Sequence, residues 1–400
     1  MCANIRYGIS MWRAGVCVLV CLVAGAGLLL PAGTGNGIGL FSSYAHAETQ
    51  ARMRATPRSV LPRPDHIVII IEENKGFHDV FSSECPLNSG KPCAPYIALL
   101  AAQGASLEQC FALHHPSQPN YIELFSGSNH GIIDDCCPLD KCQPQDICRT
   151  DCDQPPSKPV LNGPSLVGML LDKNKSLPPN SKPFTFVGYA EDLPQNKMAC
   201  CSTEPGAHYA RKHCPWLDFL DVPEINVDGT PTTWKFDRDF WMHKEDVQRF
   251  SVLPTISFVI PNLINDMHSL QEHAPKKTWL EGHDPLKRKE VLGRLVNQGD
   301  VWLKTYLADY VEYVMKEENN SLLIITWDED SGGKNCTHPC PTLPPTNRIP
   351  TIFVGAKVKP GYRSKVQYTH YNLLRTILDM YDLPLIGGSQ HAKPITDIWE

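Results

Sequence analysis

Apolar sequence of membrane-spanning length is scarce in this chain. Near its start, 15 uncharged, largely apolar residues occupy 16–30, which is short for a membrane-spanning helix of about 20 residues. Arg6 and Arg13 precede this stretch, and an A-x-A cleavage pattern ends at Ala47. We therefore expect 1–47 to be a signal peptide and the mature protein to be secreted or periplasmic. The long segment before Ala47 leaves an uncleaved anchor as the alternative.

Clusters of basic residues are also missing. The chain has 37 Lys and Arg against 43 Asp and Glu, and removal of residues 1–47 takes away two arginines and no acid. Proteins that bind nucleic acids usually present a basic patch or stripe. We therefore predict no nucleic-acid partner, while a small charged substrate held by a local site remains compatible with the acidic balance.

No CxxC pair occurs among the 16 cysteines. Thirteen of them follow residue 47, and in an exported protein disulfides are the expected state. A zinc site is the alternative, because Cys142, Cys148 and Cys152 are clustered. Since 13 is odd, at least one thiol is free or pairs between chains.

Five apolar, β-branched segments predict buried strands, and helical patterns separate several of them. The predicted strands are 66–71, 184–189, 255–260, 322–327 and 351–355, and the predicted helices are 94–104, 161–171, 299–319 and 370–383. Such alternation is typical of a parallel or mixed sheet covered by helices on both faces. We expect 48–400 to form one α/β domain in which about 134–215 is a Cys-rich insertion.

Acidic, amide and histidine side chains follow four of the predicted strands. They are Glu72, Glu73 and Asn74, then Asp266 and His268, then Asp328, Glu329 and Asp330, and finally His370. The carboxyl ends of parallel strands line the ligand crevice of open α/β sheets. Each residue alone could be a surface acid, a turn residue or a cap, and strand alternation lets only one of Glu72 and Glu73 face the crevice. Together they favour a divalent metal site, because gathered carboxylates need a compensating cation or proton.

The segment HHPSQPNYIELFSG (114–127) places a serine at the start of a predicted helix. Pro119 suits the first turn of that helix, so Ser117 lies where free N–H groups favour an anion. A serine hydroxyl activated by a metal can attack phosphorus, and Asn120 could donate its amide to a phosphoryl oxygen. The alternative is that Ser117 is only an N-cap.

These segments together resemble the phosphoesterase family of the alkaline phosphatase superfamily, which includes bacterial acid phosphatases and phospholipases C. The matching motifs include IEEN, HHPSQPNYIELFSGSNHGI, ARKHCPW, ISFVIPNLINDMHS, IITWDED and YTHYNLLRTI, and they extend over roughly 66–385. The resemblance implies a three-layer α/β/α sandwich that hydrolyses phosphate esters through a phosphoserine with the help of a divalent metal ion.

The resemblance also implies roles for individual residues. It makes Ser117 the nucleophile and places His268 and His370 in motifs whose histidines contact the phosphoryl group or a metal. The candidate metal ligands are Glu73, Asn74, Ser117, Asp328 and Glu329, with Asp266 added from its place after a strand. Tyr121 occupies the position at which sulfatases need arginine, which argues against a sulfatase. The roles of His115 and Asp300 stay open.

Three functions remain as alternatives. The chain is shorter than the long bacterial phospholipases C of the family, and this favours an acid-phosphatase-like enzyme acting on small phosphate esters. A phospholipase C acting on phospholipid is ranked lower, because no exposed amphipathic or basic membrane helix is evident. A Cys-rich extracellular binding protein with a vestigial site is the third. Lys75 and Gly76 follow Asn74 where the family often has serine two positions on, which is a departure from the family pattern.

Overall fold

The computed structural model describes 61–83, 85–87, 90–135, 161–197, 199, 207–242, 246–269, 285–332 and 346–400. The predicted signal peptide, much of the predicted Cys-rich insertion and the alternative zinc site lie outside these residues. Among the described cysteines, Cys85 and Cys93 form a disulfide, and Cys110 and Cys214 are unbonded and buried.

Within the described residues, a nine-stranded mixed sheet forms the centre of the molecule. Its strands are β1 (His66–Glu72), β2 (Ala105–Phe111), β3 (Phe186–Ala190), β4 (Thr233–Lys235), β5 (Ile256–Ile260), β6 (Ser321–Trp327), β7 (Arg348–Ile349), β8 (Thr351–Val354) and β9 (Tyr362–Thr369). They follow the order β4-β3-β5-β1-β6-β8-β2-β7, and β9 pairs with β2. β1 lies between β5 and β6, parallel to both, and this buried position explains its continuous run of isoleucine and valine.

Helices cover both faces of the sheet. They are α1 (Phe77–Phe81), α2 (Pro95–Gln103), α3 (Ser117–Ser126), α4 (Leu166–Asn174), α5 (Arg238–Met242), α6 (Pro285–Val314) and α7 (His370–Met380). α6 packs against α2 and α5, whereas α3 packs against α7. The predicted α/β/α sandwich is therefore confirmed. No helix among the described residues is both long and apolar enough to cross a membrane.

The topology brings the segments after several strands to one edge of the sheet. β5, β1 and β6 are adjacent and parallel, so the residues that follow them emerge side by side. β8 is antiparallel to both β6 and β2, which makes β2 parallel to β6. The loop between β2 and α3 consequently emerges at the same edge, and this places Ser117 next to the strand-end acids.

Asp300, whose role the sequence left open, stabilises α2 from a distance. Its buried carboxylate accepts hydrogen bonds from the N–H groups of Tyr96 (3.1 Å) and Ile97 (2.7 Å). These are donors of the first turn that no residue of α2 can satisfy, and Ala94 at the N-cap makes no side-chain bond. We infer that Asp300, which lies on α6, caps the start of α2.

We expect Asp300→Ala to lower the free energy of unfolding by about 2–4 kcal/mol, because two buried N–H groups lose their acceptors. Asp300→Asn keeps one acceptor oxygen and should lose about half as much. Urea unfolding monitored by circular dichroism measures both variants. Equal stabilities of the wild type and Asp300→Ala would contradict the capping role.

Candidate active site

Ser117 is the first residue of α3, and its hydroxyl faces the carboxylates at the sheet edge. Its Oγ lies 3.2 Å from Oε2 of Glu73 and 3.2 Å from Oε1 of Glu329. The side-chain amide of Asn74 donates to the same hydroxyl at 3.4 Å. The N-cap of α3 is Pro116, so the alternative in which Ser117 serves only as an N-cap is wrong.

The turn after β1 directs two of these groups at Ser117. Asn74 has φ 54°, a left-handed conformation that asparagine tolerates better than most residues, and its N–H donates to Oδ1 of Asp328 at 2.9 Å. Its side-chain amide contacts Oε2 of Glu73 as well as Ser117. The cluster of Ser117, Glu73, Asn74, Asp328 and Glu329, here called the nucleophile cluster, therefore unites segments from three strand ends, and all its members except the half-buried Asn74 are buried.

Glu73 is further held by a histidine that the sequence did not single out. Nε2 of His213 lies 2.8 Å from Oε1 of Glu73, and its Nδ1 lies 3.6 Å from Oδ2 of Asp266. The Tyr121 ring stacks on the imidazole with centroids 4.8 Å apart. Asp266 contacts Glu73 both through His213 and through its carbonyl, which accepts the N–H of Glu73 at 2.8 Å, and its role as a metal ligand stays a prediction.

The acids of the nucleophile cluster differ in pKa. Burial alone would raise the pKa of Glu73, but His213 and then Lys212 lower it well below its usual range. Burial and the charge of Glu73 raise the pKa of Asp328 well above its usual range. Burial also raises the pKa of Glu329 to about 7, although His115 opposes that shift. Glu73 is therefore the ionised member, and the others resist ionisation next to it.

The nucleophile cluster fits a divalent cation. Buried oxygens normally have a hydrogen-bond partner, yet Oδ2 of Asp328 accepts none among the described residues, and Oε1 of Glu73 and Oε2 of Glu329 are met only by imidazole nitrogens. One serine hydroxyl can donate to only one of its two neighbouring carboxylates at a time. No three described His, Cys, Asp or Glu side chains form a ready-made metal cage, so the fit rests on the open oxygen of Asp328 and on the carboxylates of Glu73 and Glu329 beside Asn74 and Ser117.

Two lysines bring positive charge to the same region. Lys75 is buried, and its ammonium donates to the carbonyl of Asn74 at 2.9 Å. Nζ of Lys212 lies 2.7 Å from Oδ2 of Asp135. The other oxygen of Asp135 accepts the N–H of Gln118 at 2.9 Å. Asp135 therefore ties Lys212 to the first turn of α3, directly beside Ser117.

Asn120 has a structural role in the loop before α3, which differs from the predicted contact with a phosphoryl oxygen. Its Oδ1 accepts the N–H groups of Leu113 (3.0 Å) and His114 (2.9 Å). Its Nδ2 donates to the carbonyls of His114 (2.9 Å) and Pro116 (3.3 Å). Because both ends of the amide are engaged, Asn120 fixes the loop that carries Ser117, and this corrects its prediction as a donor to a phosphoryl oxygen.

The two histidines predicted as catalytic, His268 and His370, make their hydrogen bonds to groups other than the Ser117 hydroxyl. Nε2 of His370 lies 2.9 Å from the carbonyl of Trp327, so His370 supports the end of β6, and its contact with a phosphoryl group or metal stays a prediction. The N–H of His268 donates to Asp266 at 2.8 Å, and its Nδ1 lies 2.9 Å from the hydroxyl of Ser269. Burial lowers the pKa of both imidazoles to about 4, so both are neutral at pH 7.

His115 is closer to the nucleophile. Its Nδ1 contacts Oε2 of Glu329, and its Nε2 lies 3.4 Å from Oδ1 of Asp330. Although burial alone would lower the pKa of His115, Asp330 and Glu329 raise it to about 9. Of the three histidines, His115 is thus the one that carries a proton at neutral pH.

Sequence reasoning missed His213, Lys212 and Asp135. His213 and Lys212 belong to the motif ARKHCPW and lie on the 3₁₀ turn Arg211–His213. No predicted strand ends just before that motif, so the strand-end rule could not reach it. Asp135 lies in a loop beyond α3, and no local pattern distinguishes it from a surface acid.

Comparisons with known proteins identify the family of the chain. The model of the phosphoesterase family matches residues 89–384. A phosphatidylinositol-3-phosphatase of Mycobacterium tuberculosis is 35% identical over 366 residues, which cover 90% of each chain. A probable acid phosphatase of Kluyveromyces lactis is 25% identical over 311 residues, which cover 76% of this chain and 57% of that relative.

The fold also resembles that of solved structures. A protein in the alkaline phosphatase superfamily from Vibrio parahaemolyticus aligns with a TM-score of 0.47 and 15% identity, covering 85% of this chain and 72% of that one. The family match spans most of the chain, and the mycobacterial relative matches nearly its whole length. On these grounds the chain is a member of the phosphoesterase family.

Proposed function

We propose that this protein is an exported, metal-dependent phosphatase of the acid phosphatase type that forms a phosphoserine on Ser117. The observation that carries the proposal is the Ser117 hydroxyl at the start of α3, 3.2 Å from both Glu73 and Glu329. A hydroxyl in that position has proton acceptors on one side and the N–H groups of a helix start on the other. This combination suits attack on a phosphate anion.

Each residue of the site has its own role in the proposed reaction. Oγ of Ser117 attacks phosphorus and passes its proton to Glu73 or Glu329. Lys212, held beside the start of α3 by Asp135, offsets the charge that develops on the phosphoryl oxygens. The P–O bond to the alcohol breaks, and His115 supplies the proton that the leaving oxygen takes up. Water then hydrolyses the phosphoserine and frees phosphate.

A divalent cation held by Glu73, Asn74, Asp328 and Glu329 would lower the pKa of the serine hydroxyl and offset the charge of the phosphoryl group. The open Oδ2 of Asp328 and the two carboxylates beside Ser117 support its presence. Export is supported by the apolar segment near the start of the chain and by the disulfide between Cys85 and Cys93, a bond that persists in oxidising compartments.

A substrate panel tests the proposal. The names of the relatives, a phosphatidylinositol-3-phosphatase and acid phosphatases, favour phosphate monoesters. We expect the protein to release phosphate from p-nitrophenyl phosphate faster than it cleaves bis-p-nitrophenyl phosphate. Release of phosphocholine from phosphatidylcholine at a higher rate would favour the phospholipase C alternative. Hydrolysis of no phosphoester would favour the extracellular binding protein.

Removal of metal should lower both activity and stability. After dialysis against EDTA, we expect kcat to fall by about 100-fold or more, because the carboxylates of the nucleophile cluster lose their counterion. We also expect Tm to fall by a few degrees, since a cation that binds only the folded state stabilises it. Addition of divalent cations one at a time should restore both quantities, as followed by differential scanning fluorimetry.

The variant Glu73→Gln provides the matched control, because its Tm should respond less to added metal than that of the wild type. A chelated protein that keeps its full activity and its Tm would contradict metal dependence.

A further inference from the structure

A cavity of about 550 Å³ lies at the same edge of the sheet as the nucleophile cluster. Segments after β1 and β6, the end of β2 and the short strand β7 form its walls, and they contribute Phe77, His78, Asp79, Phe111, Asp330 and Arg348. Asp330 links the cavity to the nucleophile cluster, because it lies 3.4 Å from His115, which contacts Glu329. A substrate with its phosphoryl group at Ser117 therefore has this cavity available for its leaving group.

The carboxylates that line the cavity are already engaged within the protein. Oδ2 of Asp79 accepts the N–H of Gly76 and the hydroxyl of Ser331, each at 2.9 Å. Oδ1 of Asp330 accepts the N–H of Gly332 at 2.8 Å and lies beside His115. Their negative charge is thus partly satisfied before any ligand enters.

Arg348 places a positive charge on the cavity wall, and no described ion pair neutralises it. Its guanidinium carbon lies 3.9 Å from the centre of the Phe77 ring, and its Nε donates to the carbonyl of Glu108 at 2.6 Å. These contacts hold the planar group in place. Among the described residues, no carboxylate pairs with it and its two terminal nitrogens have no hydrogen-bond partner.

The two terminal nitrogens of a guanidinium group held in this way form a fork that can donate two parallel hydrogen bonds. Phosphate is an anion that accepts two such bonds. The volume of the cavity falls in the range of small-molecule sites. We propose, on the basis of the proposed phosphatase function, that this cavity binds a second phosphate group carried by the leaving group of the substrate. The preferred substrates are then monoesters of alcohols that already bear another phosphate, either soluble bisphosphates or phosphoinositide head groups.

The test compares two substrates that differ only in the second phosphate, inositol 3-phosphate and inositol 1,3-bisphosphate. We expect the wild type to favour the bisphosphate in kcat/KM by about 10- to 100-fold, mainly through a lower KM, as fits hydrogen bonds to a charged group. Arg348→Gln keeps a long side chain over Phe77 but loses the charge, so the ratio of the two kcat/KM values should fall towards one. Arg348→Lys keeps the charge without the fork and should give an intermediate ratio.

Arg363→Ala is the control, because this arginine has a side chain that is 74% exposed and lies on β9. It should keep the wild-type ratio. A wild-type ratio near one, or a ratio that Arg348→Gln and Arg348→Lys both leave unchanged, would overturn the inference. Failure of the wild type to hydrolyse either inositol phosphate or p-nitrophenyl phosphate would instead contradict the proposed function.

Dioctanoyl phosphatidylinositol 3-phosphate distinguishes the source of the second phosphate. If its hydrolysis depends on Arg348 as strongly as that of the soluble bisphosphate, the cavity serves lipid head groups. If only the soluble bisphosphate depends on Arg348, the cavity serves soluble substrates. Thermal unfolding of each variant shows whether the loss of the contact with Phe77 alters the fold.

Discussion

Replacing Ser117 by alanine is expected to lower kcat for p-nitrophenyl phosphate by about 1,000-fold or more, because the phosphorus then has no nucleophile on the protein. The fold should persist. The hydroxyl lies between two carboxylates that it cannot satisfy together, so its removal costs little stability. Initial rates together with circular dichroism separate the loss of chemistry from a loss of structure.

Ser126→Ala is the matched control for this experiment. Ser126 is buried in the same helix, but its hydroxyl donates to the carbonyl of Ile122 at 2.8 Å and faces no acid of the nucleophile cluster. Its turnover should stay within about threefold of the wild type, as for most changes outside a site. Acid quenching during turnover, followed by mass spectrometry, should detect a phosphate on Ser117 in the wild type. A Ser117→Ala variant with wild-type turnover would exclude the phosphoserine route.

Glu73→Gln is expected to lower kcat by about 100-fold or more. Glu73 contacts Ser117, Asn74 and His213, and His213 and Lys212 lower its pKa, which favours the charged carboxylate. The amide keeps the shape of the side chain but does not take up the serine proton, and its neutral oxygen attracts a cation less strongly than a carboxylate does. Kinetics at several metal concentrations measure the loss. Excess metal should restore the activity only in part, because the proton acceptor remains absent.

Glu72→Gln provides a control one residue away in the chain. Glu72 is equally buried, but its side chain points to the opposite side of β1, and neither of its oxygens accepts a hydrogen bond among the described residues. Activity close to that of the wild type is expected. If Glu72→Gln proved as inactive as Glu73→Gln, the assignment of Glu73 to the nucleophile cluster would be wrong.

The central strands were predictable because they are buried on both faces. β1, β5 and β6 consist almost entirely of apolar residues, and every residue of each is buried. β2 (ASLEQCF) and β9 (YRSKVQYT) were not predicted, because polar side chains interrupt their apolar pattern. Pairing with each other and with β7 and β8 holds them in the sheet, and such long-range pairing has no local signature.

Two of the predicted helices had the wrong first residue. α6 begins at Pro285, well before the predicted start at 299, because its first turns carry mostly charged residues and show little apolar periodicity. α4 begins at Leu166 rather than at 161, since the side chain of Ser165 caps it by accepting the N–H of Gly168 at 3.1 Å.

For the candidate site, the residue types after the strands were enough to indicate acids at a common edge and a serine at a helix start. The sequence alone identifies the residues that directly follow each strand, and parallel strands place their carboxyl ends at the same edge of the sheet. The choice of Glu73 over Glu72, and the tasks of Asn120, His370 and Asp266, depend on distances between segments far apart in the chain. Those distances arise only when the layers pack, and packing alone brought His213, Lys212 and Arg348 beside residues that the sequence had already indicated.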